Sequence, residues 1–73
     1  MAEQPDDLKK LVAVAADLGL SAELRIKAIK LIGNISTYDA LLALLSLAAN
    51  DQLTKKERES ALKYAMEIVK AGR

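Results

Sequence analysis

"LSAELRIKAIKLIGNI", residues 20–35, and "LTKKERESALKYAMEI", residues 53–68, align without a gap when the chain is slid against itself by 33 positions, so that Arg25 falls on Arg58. Leu20 then meets Leu53, Ala28 meets Ala61, Lys30 meets Lys63 and Ile35 meets Ile68, while Ser21 with Thr54 and Ile29 with Leu62 are conservative matches. Further upstream, Leu8, Leu11, Ala15 and Ala16 fall on Leu41, Leu44, Ala48 and Ala49, and Val12 and Val14 on Leu45 and Leu47. Leu/Ala-rich helices match by chance at some positions. Chance is a poor account of both caps, both loop leucines and both arginines staying in register, so the sequence reads as one supersecondary unit used twice, with an ordinary up-down four-helix bundle as the alternative.

Each unit reads as two helices. Apolar residues recur with a period near 3.6, with no period-2 stretch and no Asn-Gly or Asp-Gly hairpin signal, so the chain should be all helical. The first helix follows Pro5, places Asp6 and Asp7 at its positive end, aligns Leu8, Leu11, Val12 and Ala15 on one face, and should stop at Gly19. The second, capped by Ser21, runs to about Ile35 with Leu24, Ala28, Leu31 and Ile35 on one face, Ile26, Ile29 and Ile32 on a further apolar side, and Gly33 fraying its end. Ser36 and Thr37 offer caps for the third, Asp39 standing three residues after Ser36 as in a capping box, and this helix should end near Asn50. "TKKE", Thr54 to Glu57, has full capping-box spacing and opens a fourth helix that continues to Gly72. Every connection is short, which predicts antiparallel neighbours.

The period of the repeat is compatible with ankyrin or tetratricopeptide units, but the Thr-Pro-Leu-His segment of the first and the early Trp of the second are missing. An apolar first helix ending in an acidic or amide turn, followed by Arg-x-x-Ala opening an amphipathic second helix, occurs in "LVAVAADLGLSAELRIKAIKLIGNI" and again in "LLALLSLAANDQLTKKERESALKYAMEIV". This pattern resembles a short HEAT-like repeat over nearly the whole chain. The resemblance implies an all-α fold of four antiparallel helices: two stacked helical hairpins in a short right-handed α-solenoid, repeat 1 at about residues 6–36 and repeat 2 at about 39–72, within a single domain, 1–73. It also implies a ladder between adjacent repeats, in which Asp17 or Asp51 pairs with Arg25 or Arg58. Lys9 and Lys10 become Leu42 and Ala43 in the second unit, and Ile26 becomes Glu59; these changes read as polar caps at the two ends of the stack. Two repeats fall below the usual minimum of about three, so dimerisation or a longer parent stays open beside a monomer, as does an engineered origin.

Seventy-three residues make one small domain, 52% hydrophobic but 3% aromatic, so its core must come from Leu, Ile, Val and Ala. The net charge of +1 neither advertises nor excludes a polyanion. With no Cys and no His there is no thiol nucleophile, no imidazole for acid–base work and no Cys/His metal motif, and no Gly-rich phosphate loop occurs. Carboxylates cluster at Asp6/Asp7 and Glu57/Glu59, near helix N-termini where the dipole stabilises them. No enzyme, cofactor or metal is expected. The start, "MAEQPDD", lacks a secretory signal and no apolar run approaches the ~18 residues that span a bilayer, which predicts a soluble, cytoplasmic protein without membrane contact.

The second helix of each HEAT-like unit lines a concave surface that such arrays often use for binding. That resemblance nominates Arg25, Lys27, Lys30, Asn34, Lys56, Lys63, Tyr64 and Glu67 as a binding face, with another protein as the expected partner. Phosphate attraction with Tyr64 as a stacking platform is the nucleic-acid alternative. The interspersed Glu57, Glu59 and Glu67 count against it, since Glu59/Lys63 and Lys63/Glu67 have the four-residue spacing of ordinary surface ion pairs. Tyr38 and Tyr64 read as half-buried packing, and Met66 as an exposed apolar flank.

Overall fold

The computed structural model describes residues 5–72; the acidic start "MAEQ" and Arg73 lie outside them. Four α-helices follow one another, α1 (Pro5–Ala15), α2 (Ala22–Ile35), α3 (Tyr38–Ala48) and α4 (Lys55–Gly72), with no strand among the described residues. The starts of α1 and α3, the ends of α1 and α3, and the starts of α2 and α4 are each 33 residues apart.

The turns repeat bond for bond. After α1, the Gly19 amide donates to Asp17 Oδ1 (2.8 Å) and the Leu20 amide to the Asp17 carbonyl (3.1 Å); after α3, the Gln52 amide donates to Asn50 Oδ1 (2.9 Å) and the Leu53 amide to the Asn50 carbonyl (3.1 Å). An Asp or Asn side chain accepting from the amide two residues on holds the chain in an Asx turn, which is why these residue types occupy both positions. The helix that follows opens in both cases on a hydroxyl cap: Ser21 Oγ accepts from the Leu24 amide and Thr54 Oγ1 from the Glu57 amide, both at 3.2 Å. In the second unit the cap is reciprocal, Glu57 Oε1 accepting from the Thr54 amide at 3.0 Å, the capping box expected from "TKKE".

Several boundaries differ from the sequence reading. α1 ends at Ala15 rather than at Gly19, because the Asx turn begins at Asp17. α3 is capped by Thr37, which accepts from the Ala40 amide, and not by Ser36; Ser36 terminates α2 in the left-handed region (φ 57°) and its hydroxyl donates to the Gly33 carbonyl. Gly33 does not fray α2. It lies inside the helix where α4 comes closest, and a Cβ there would stand 2.9 Å from Tyr64 Cβ and 3.0 Å from its Cγ and Cδ1. The sequence contrast between Tyr64 and Gly33 is therefore one contact: a large ring on α4 seated over the one helical position of α2 without a side chain.

α2 is the hub, packing against α1, α3 and α4, whereas α1 and α4 make no close approach. A helix with neighbours on three sides buries more than one stripe. The residues it buries are Arg25, Ala28, Ile29 and Ile32, so the stripe of Leu24, Leu31 and Ile35 read as its core face is displaced: Leu24 and Leu31 are about half exposed and Ile35 half-buried. Ala28, Ile29 and Ile32 join Ala15, Ala40, Leu44, Leu47, Leu53, Ala61, Ala65 and Ile68 in one core, flanked by Leu8, Leu11, Val12 and Tyr64. Two isoleucines fully removed from water contribute about 1.5–3 kcal/mol each, which makes that face of α2 decisive for a chain this short. Tyr38, expected to be half-buried, is 72% exposed at the start of α3.

Gly33→Ala tests the α2–α4 approach. Helix propensity favours Ala by about 1 kcal/mol, but overpacking against the base of a tyrosine side chain costs about 1–3 kcal/mol. The expected result in urea unfolding is no gain or a loss of stability in the wild-type background, and a gain once Tyr64→Gly removes both the ring and the Cβ that stands nearest.

Candidate functional site

The acidic partner of Arg25 comes from the capping box of α4. Its Nη2 and Nε donate to Glu57 Oε2 at 2.8 and 3.1 Å, and its Nη1 reaches back to the carbonyls of Leu20 (2.6 Å) and Asp17 (3.1 Å) at the end of the preceding turn. Arg25 is 8% exposed and Glu57 is fully buried. The ladder expected from Asp17 or Asp51 is thus replaced: Asp17 offers Arg25 only its backbone, because its carboxylate is committed to Gly19, and Glu57 supplies the charge.

Burial by itself opposes ionisation of Glu57. The hydrogen bonds from Arg25, those from Thr54 and the Arg25 charge outweigh it and hold the carboxyl below the ordinary glutamate range. The pair is a clamp in three parts, tying the end of the α1–α2 turn, the start of α2 and the start of α4.

Burial of Arg25 removes it from the proposed binding face. Lys27, Lys30 and Asn34 on α2, and Lys56, Lys63 and Glu67 on α4, are all exposed, on two helices that pack on one another. Tyr64 is half-buried against Gly33, and Lys63 Nζ stands 5.8 Å from the centre of its ring. Neither Glu59/Lys63 nor Lys63/Glu67 closes to an ion pair; among the described residues the charge contact within 4.0 Å is Arg25–Glu57. These side chains form a mixed-sign, solvated surface rather than a basic groove.

Apolar surface marks the two ends instead. On α1 and α2 an open depression of about 420 Å³ is lined by Asp7, Lys10, Leu11, Leu31 and Ile35. The counterparts of its apolar members one repeat later are Leu44, Tyr64 and Ile68, which are buried or half-buried. At the other end the relation inverts: Ile29 is 0% exposed but its counterpart Leu62 is 48% exposed, and half-buried Val12 corresponds to exposed Leu45. Leu42, Met66 and Val69 are exposed as well. Lys9, Lys10 and Glu59 are exposed, but Leu42, which replaces Lys9 and is expected to be covered, is about half exposed.

Sequence reasoning named both arginines but missed the acidic partner of the first. Glu57 was legible as a cap but not as the partner of Arg25, 32 positions earlier. Arg58, the repeat equivalent of Arg25, carries a buried Nε with no hydrogen-bond partner among the described residues. Those residues hold no cluster of three or more acidic, His or Cys side chains that could bind a metal, and none of their helices is long and apolar enough to cross a membrane. No protein-family model, curated protein or solved structure matches the chain.

Removing one member of a buried pair leaves an uncompensated charge, at a cost of about 3–5 kcal/mol. Against a total of order 5–10 kcal/mol for this length, Arg25→Met should bring the protein close to its unfolding midpoint in urea titrations. Because the folded pKa of Glu57 is depressed, its contribution is fully present above the unfolded value, about 4.3, and is lost as pH falls through the folded value. Glu57→Gln should accordingly be much less stable than wild type at neutral pH, the two stabilities converging in acid below the folded pKa.

Proposed function

We propose that the chain is a non-enzymatic, HEAT-like interaction module: two helical hairpins stacked as a short right-handed solenoid, which bind another protein through apolar surface at an end of the stack. The repeat is supported by helix boundaries and turn hydrogen bonds that recur at 33 residues, and by the Arg25–Glu57 clamp between them. The observation that carries the binding reading is the exposure of Leu45, Leu62, Met66 and Val69 along α3 and α4; the first-repeat counterparts of Leu45 and Leu62, Val12 and Ile29, are half-buried and buried. Exposed apolar side chains mark an interaction site where they join into one patch.

The helical face of Lys27, Lys30, Asn34, Lys56, Lys63 and Glu67 is the second reading. Its use by a nucleic acid is less well supported than its use by a protein, because Arg25 is committed to Glu57 and acidic residues interrupt the lysines. Electrostatic binding of that type weakens steeply with salt.

A photo-cross-linking residue placed at Met66, at Val69 or at Lys30 distinguishes the faces in an extract of the source cells. The expected result is one discrete protein adduct from Met66 and Val69 and none from Lys30. An adduct from Lys30 alone moves the site to the lysine face, and the absence of any adduct removes the interaction reading. A labelled single-stranded oligonucleotide should show no binding at low salt; binding abolished by reversing Lys27, Lys30 and Lys63 to Glu would establish the nucleic-acid alternative.

A further inference from the structure

We infer that the α3–α4 end of the molecule is a receptor for one kind of partner: a helical hairpin that presents a capping-box glutamate, Ser/Thr-x-x-Glu, to Arg58. The inference rests on the two-repeat reading above and names the chemistry of its apolar end.

The template is internal. Arg25 and Ile29 lie one helical turn apart on α2, and both are buried: Arg25 Nε meets Glu57 Oε2 of α4, and Ile29 is fully removed from solvent. Their equivalents on α4, Arg58 and Leu62, repeat the spacing without the carboxylate. Arg58 Nε is already removed from water yet has no acceptor among the described residues, and Leu62 is half exposed beside it. A guanidinium N–H buried without an acceptor is costly, and a carboxylate is the acceptor that repays it best. What completes this end is therefore an acid on Arg58, as Glu57 is on Arg25, and apolar side chains over Leu62 and Leu45.

A second copy of the chain is the obvious candidate for that partner and lacks the acid. If the α1–α2 face of one copy stacked on the α3–α4 face of another as the repeats do, the residue arriving over Arg58 would be the equivalent of Glu57, which is Leu24. Leu24 sits at the third position after the cap Ser21, its amide already bonded to Ser21 Oγ, and its side chain is about half exposed. Burying Arg58 under a leucine strands its charge, so head-to-tail self-stacking is disfavoured, while a hairpin with Glu at that position is accepted.

This makes the recognition testable on the chain itself. Leu24→Glu writes the capping box Ser21-x-x-Glu onto the exposed end of α2 and should convert the protein into its own partner. By sedimentation equilibrium, wild type is expected to be monomeric where Leu24→Glu associates roughly 30-fold or more tightly. Its mass should climb without a plateau, as an open head-to-tail interface requires. Adding Arg58→Met to Leu24→Glu should restore the monomer, and Leu24→Gln should associate far less. A helical Leu24→Glu chain that stays monomeric, association indifferent to Arg58→Met, or wild type that associates as tightly as the variant would each overturn the inference. Should Leu24→Glu fail to fold, Arg58→Met in the wild-type background decides. An unchanged or raised urea midpoint is expected of a receptor residue, and a fall as large as that of Arg25→Met would make Arg58 a residue of the fold. The two-repeat reading fails separately, if Arg25→Met leaves the urea midpoint unmoved.

Discussion

A buried charge in a domain of this size must be answered, and the answer organises the molecule. Arg25 cannot shed its proton, so wherever α2 carries it inside, a carboxylate has to follow. Glu57 meets that demand while capping α4, which places the start of α4 against the start of α2. Apolar packing alone leaves α2 a choice between two hydrophobic sides. The arginine settles its rotation: with Arg25 inward, Ala28, Ile29 and Ile32 go inward too, and Leu24 and Leu31 turn out. The contact of Tyr64 with Gly33 then sets how closely the two helices run.

The same clamp explains why the two ends of the molecule differ. A unit that both offers an arginine and supplies a capping glutamate can stack without limit. Here the first unit offers the arginine but has leucine at the glutamate position, and the second supplies the glutamate while Nε of its own Arg58 has no hydrogen-bond partner among the described residues. Large apolar side chains are exposed on both pairs of helices, and on α3 and α4 they are accompanied by a buried Arg58 Nε with no hydrogen-bond partner among the described residues.

Local rules accounted for much of this in advance. Asp17 and Asn50, Ser21 and Thr54, and the "TKKE" box act within three residues of themselves, and such interactions need no knowledge of the rest of the chain. The helices they bracket appear close to where spacing and caps place them. Where the reading went astray, two local solutions were of equal quality: Ser36 or Thr37 as cap, Gly19 or the Asx turn as stop, and one or the other apolar side of α2 as core. Periodicity cannot choose between two apolar stripes on one helix, since both satisfy it. The lysine face was legible as solvent-facing for the same local reason, but Arg25 was wrongly grouped with it, because an arginine on a polar flank and a buried arginine look alike until the partner is known.

By itself, then, the sequence determined that the chain is all helical, how many helices there are, roughly where each begins, and that a 33-residue unit occurs twice, because caps, turns and periodicity are short-range and additive. The tertiary structure alone decided which face of α2 is inside, that Gly33 is a contact rather than a break, and that Arg25 belongs to Glu57 while Arg58 has no such partner among the described residues. Those outcomes depend on groups about thirty residues apart competing for the same small interior, where desolvation makes the placement of a single charge worth more than any local preference.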